Sequence, residues 1–124
     1  MKIEVSLGEV LDRKSILTLK LLNISDPGKL ANIRREQESI EKCLRGLKLD
    51  KIQLQITQLH EVNKSLWESG DKLRAKESSQ TFDGEFIELA RSVYKLNDRR
   101  YSLKREINLL SGSTIVEEKQ YSKY

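Results

Sequence analysis

Four polar residues stand in mid-stripe where a helix would otherwise be apolar: Lys14, Gln37, Asn63 and Arg100. Neither Lys14 nor Arg100 has an acid three or four residues away; around Arg100 those places hold Leu96, Asn97, Leu103 and Lys104. A cation set among apolar side chains is costly unless an anion meets it. That anion has two possible sources. One is a carboxylate of another helix, such as Glu61 or Asp12. The other is a bound phosphate or carboxylate, which the forked donors of arginine suit. In the first case the polar layer fixes helix register, as a single Asn does in a coiled coil. In the second it is a ligand site.

Other constellations are weaker. Arg91, Lys95 and Arg99 form a basic stripe at helical spacing, diluted by Glu88 and Asp98, and such stripes are usually solvated faces. His60 is the single histidine and Cys43 the single cysteine, so neither a zinc site nor an internal disulfide is expected. Glu61, Glu68 and Asp71 share one side of a helix, a spacing too common to imply a metal. No nucleophile–base pair and no glycine-rich phosphate loop is visible; histidine acid–base chemistry could use only His60, so no catalytic residue is assigned and no cofactor is expected.

The elements that must position these residues are helices. Phe82, Phe86, Leu89, Val93, Leu96, Arg100, Leu103, Ile107 and Leu110 follow one another in alternating steps of four and three, the mark of one long helical seam. The same spacing runs through Ile52, Ile56, Leu59, Asn63, Leu66, Gly70 and Leu73. Shorter seams are Leu7, Val10, Lys14, Leu17, Leu21, Ile24 and then Leu30, Ile33, Gln37, Ile40, Leu44. Ser6 with Glu9 reads as a capping box, Asp26-Pro27 as a stop and restart, and Asp83 as a cap. Helices are therefore expected over 7–24, 27–45, 50–77 and 83–110. Residues 1–6 read as a short strand and 114–124 as a β-prone stretch followed by a polar tail.

The expected fold is all-α: one domain, residues 1–124, forming an antiparallel up-down four-helix bundle with a small ribbon made by the two terminal segments. The second hairpin is longer than the first, so Leu73, Phe82, Phe86 and Leu89 overhang and form a candidate self-association surface, giving a homodimer or another homo-oligomer. Charged residues make up 34% of the chain and aromatics 6%, as solvated helices require. The charge of +4 is a small difference between 23 bases and 19 acids, which argues against nucleic acid as a partner. No apolar run has the length of a membrane span, and the expected setting is the cytoplasm.

Several segments resemble a family of small uncharacterised bacterial proteins, a domain of unknown function. They are Leu7-Gly8-Glu9-Val10-Leu11-Asp12, Lys29-Leu30-Ala31-Asn32, Leu59-His60-Glu61-Val62-Asn63 with Leu66-Trp67, Phe86 through Tyr94, Asn97-Asp98, Lys104 with Ile107-Asn108, and Gly112-Ser113 with Ile115 through Lys119. Relatives that accompany cell-surface polysaccharide or glycosyltransferase proteins imply, by association, an envelope-glycan setting and a protein partner there. Lys14 replaces an apolar residue of the family pattern, and Ser69-Gly70 replaces Ile-Glu. The candidate anion site therefore narrows to Arg100 and Asn63, with Asn97, Asp98 and Lys104 as neighbours. The leading expectation is a non-catalytic interaction or adaptor module that self-associates. The alternative is a binding protein or enzyme for an anionic metabolite, such as a nucleotide sugar or phosphosugar.

Overall fold

In the computed structural model, which describes residues 1–115, 117–120 and 122–123, the chain is all-helical. Helix α1 spans Leu7–Asn23, α2 Pro27–Leu44, α3 Gln53–Ser78 and α4 Gly84–Ser111. Local chemistry sets most of these ends. Ser6 Oγ accepts from the Glu9 amide at 3.2 Å and opens α1. Asp26 accepts from the Lys29 amide at 2.9 Å, with Pro27 in the first turn of α2. Asp83 accepts from the Phe86 amide at 2.9 Å and opens α4. Gly112, at φ 70°, closes α4 in the left-handed conformation that glycine adopts without a Cβ clash. A single 3₁₀ turn, Asp50–Ile52, occupies the start that the seam assigned to the third helix.

The packing is centred on α1. Helices α1, α3 and α4 contact one another, whereas α2 lies along α1 and reaches the core of the other helices only through Leu44 at its end. One face of α1 places Leu11 in a core with Ile52, Leu59, Val62, Leu103 and Ile107. Its other face places Val10 and Leu17 against Ile33 and Ile40 of α2. Burying one such leucine contributes about 1.5–3 kcal/mol. The expected α1 seam is the face toward α2; Lys14 leaves it and is exposed. The face toward α3 and α4 is a second stripe, Gly8, Asp12, Ser15 and Leu19, also in steps of four and three. A helix covered on two sides needs two stripes, and one-seam reading finds the more apolar of them.

Among the described residues there is no strand, so the ribbon expected from segments 2–5 and 114–116 does not form there; Val116 lies outside the described residues. A lone two-stranded ribbon is marginal in water. The C-terminal segment is fastened to α4 by side chains instead. Tyr101 donates to the Glu117 carbonyl at 3.2 Å, Arg105 to the Glu118 carboxylate at 2.5 Å, and Lys119 Nζ lies 5.4 Å from the Tyr101 ring centre. No helix among the described residues is long and apolar enough to cross a membrane.

Candidate functional site

The hub of the polar layer is Asp12, 1% exposed, carried by the second stripe of α1. Arg100 of α4 donates to both its oxygens, from Nε at 2.8 Å and from Nη2. Asn63 of α3 donates to Asp12 Oδ1 at 3.0 Å and to Ser15 Oγ at 3.2 Å. The Ser15 hydroxyl also shares a hydrogen bond of 2.8 Å with His60 Nδ1, which extends the layer along α3. Three helices thus meet on one carboxylate. Among the described residues, no buried side-chain nitrogen or oxygen of this layer lacks a partner, the condition under which a buried polar layer is tolerated.

A second cluster lies one turn toward the start of α1. Lys104 donates to Glu9 at 2.7 Å and to Glu117 at 3.3 Å, and Arg13 donates to Glu9 at 3.2 Å. The Lys104 ammonium holds the Glu9 carboxyl below its ordinary value against a smaller opposing effect of burial. On Lys104 burial is the largest single influence and pulls its pKa down, but Glu9, Asp12 and Glu117 together raise it. Arg100 is raised chiefly by its bond to Asp12. Next to this cluster Asn108 Oδ1 accepts from the Gly8 amide at 2.8 Å. The contact is so close that a Cβ on Gly8 would lie 2.5 Å from the Lys104 carbonyl oxygen. Glycine at this position lets α1 approach α4.

Of the residues singled out from the sequence, Arg100 and Asn63 are brought together, and Lys104 sits beside them in its own ion cluster. Asn97 and Asp98 are half-buried and make no hydrogen bond to this network among the described residues. Gln37 is half-buried on α2, away from it. Gly8, Ser15, His60 and Asn108 take part although the seams give them no role, and of the two carboxylates that could meet Arg100, Asp12 and Glu61, it is Asp12 that does. The signal for Gly8, Asp12 and Ser15 is the second 4-3 stripe of α1. No group of His, Cys, Asp and Glu among the described residues is arranged to hold a metal ion.

Leu73, Phe82, Phe86 and Leu89 lie at the opposite end of the long hairpin. Phe82 and Phe86 pack edge to face with ring centres 5.2 Å apart, and Phe82 remains 53% exposed. Lys76 closes this end through Asp83 at 3.0 Å and Glu85 at 3.3 Å.

The sequence matches, over residues 1–124, a family described as a family of unknown function, DUF6165. The chain belongs to that family. Searches of curated proteins and of solved structures each returned no match. Membership in DUF6165 agrees with the resemblance carried by the Leu7–Asp12, Leu59–Trp67 and Phe86–Tyr94 segments, and it assigns no reaction or ligand.

Proposed function

We propose that this chain is a non-catalytic interaction module that self-associates. In this reading the helices run up and down in an antiparallel bundle, and the α3–α4 hairpin reaches past α1 to meet a second copy. One observation carries it: no residue between positions 64 and 102 is buried, although Leu66, Leu73, Phe86, Leu89, Val93 and Leu96 continue the apolar seams through that stretch. Helix α3 has 26 residues and α1 has 17, so the hairpin overhangs by about 14 Å. An apolar seam without a cover is a docking surface.

Two further features favour a second copy as the cover. Along α4 the charges run from Glu85 and Glu88 to Arg91 and Lys95. Two such helices laid side by side in opposite directions bring acid to base, as a two-fold interface requires. Lys104 is also answered from within the chain, by Glu9 and Glu117, and Arg100 is paired with Asp12 through Nε and Nη2. The test is sedimentation velocity over a wide concentration range. Wild type is expected to shift from monomer to dimer, and Leu73→Glu/Phe86→Glu is expected to stay monomeric with an unchanged helical circular-dichroism spectrum. A wild type that stays monomeric throughout overturns the proposal.

A further inference from the structure

Where the last turns of α1 give out, a cleft of about 310 Å³ opens between Leu19, Asn63, Trp67, Gly70, Arg74 and Arg100. This is within the small end of the range that ligand sites occupy. Three features separate it from an ordinary surface groove. Gly70 borders it without a side chain: a Cβ there would meet no atom within 4 Å. Arg74 makes no hydrogen bond or ion pair among the described residues, and Arg100 directs Nε and Nη2 to Asp12, which leaves Nη1 uncommitted. The Trp67 indole nitrogen is buried without an acceptor, a costly state for a donor.

We propose that this cleft binds a small anion that carries a flat ring, its phosphate or carboxylate held by Arg74 and Arg100 Nη1 and its ring against Trp67. Guanidinium groups match the oxygens of such anions, and an indole face gives a ring a large contact area. Asp71 also lines the cleft and offers an acceptor to a hydroxyl or amino group of the same ligand. The cleft shares Leu66 and Gly70 with the seam read above as a docking surface, so its test must tell a ligand from a second copy.

Trp67 is the single tryptophan of the chain, so its emission reports on this cleft alone. The experiment is a fluorescence titration with AMP, inorganic phosphate and benzoate, at one fixed protein concentration whose oligomeric state is known from sedimentation. A saturable change with AMP is expected in wild type. Arg74→Ala is expected to weaken it about tenfold or more, the loss of a charge-assisted hydrogen bond. Gly70→Leu is expected to abolish it by filling the cleft, with thermal unfolding no earlier than in wild type. Absence of a saturable change with all three probes at millimolar concentration overturns the proposal, as does a change that survives in Gly70→Leu. In a separate dilution series without ligand, an emission change also overturns it, because the cleft would then be filled by a second copy; that outcome leaves self-association standing.

Discussion

The two halves of the α3–α4 hairpin are built on the same spacing and end up in different environments. Near the α1 end, Leu59, Leu103 and Ile107 are 1%, 0% and 0% exposed. Toward the hairpin turn, Leu73, Phe86 and Leu89 stay half-buried and Phe82 lies open. The difference is not in the hairpin. It comes from α1, which covers one half with a stripe that contains Gly8, Asp12 and Ser15 and then stops at Asn23. Periodicity identifies the apolar side of a helix; what covers that side depends on the length of other elements.

Four perturbations sharpen this contrast. The largest effect is expected for Arg100→Leu, which leaves the Asp12 carboxylate buried without its cation. Breaking such a pair on one side costs about 3–5 kcal/mol, measured by urea denaturation, and Asp12→Asn in the same chain should restore a substantial part. If Arg100→Leu is as stable as wild type, the polar layer has no role in holding the three helices. Next, Leu103→Ala should lose about 2–5 kcal/mol, whereas Leu73→Ala should lose under about 1 kcal/mol from the monomer. Equal losses would erase the distinction between the halves.

The third test makes one substitution at two glycines. Gly8→Ala forces a Cβ against the Lys104 carbonyl and is expected to cost about 1–3 kcal/mol. Gly70→Ala meets open space and should gain up to about 1 kcal/mol from helix propensity. Opposite signs in thermal melts are the expected result. The smallest effect is a pH dependence. Because Lys104 lowers the folded-state pKa of Glu9 below its ordinary 4.5, the contribution of that carboxylate is complete above about pH 4.5 and fades as pH falls through the folded value. Melting temperatures taken from pH 6 down to pH 3 should fall less steeply in Glu9→Gln than in wild type.

The helices were legible because their ends are local events. Ser6, Asp26-Pro27 and Asp83 cap the chain through residues three or fewer positions away. The anionic partner of Arg100 was not fixed at that level, because Asp12 lies 88 residues away and only the docking of α1 selects it over Glu61. The exposure of Lys14 was illegible for the same reason: the phase of α1 is set by two partners together. The terminal ribbon was inferred from β-prone residues, and the described part of the tail binds α4 through Glu117, Glu118 and Lys119 instead.

The attachment of α2 chiefly to α1 has a dynamic consequence. Val10, Leu17 and their neighbours hold most of α2, and Leu44 at its end is its one side chain packed against the cluster that contains Leu103 and Ile107. In hydrogen exchange the amides of α2 should open as a separate unit at a lower free energy than those around Leu59 and Leu103, which open with the whole fold. Its departure would bare the Val10–Leu17 face of α1 while three helices remain assembled.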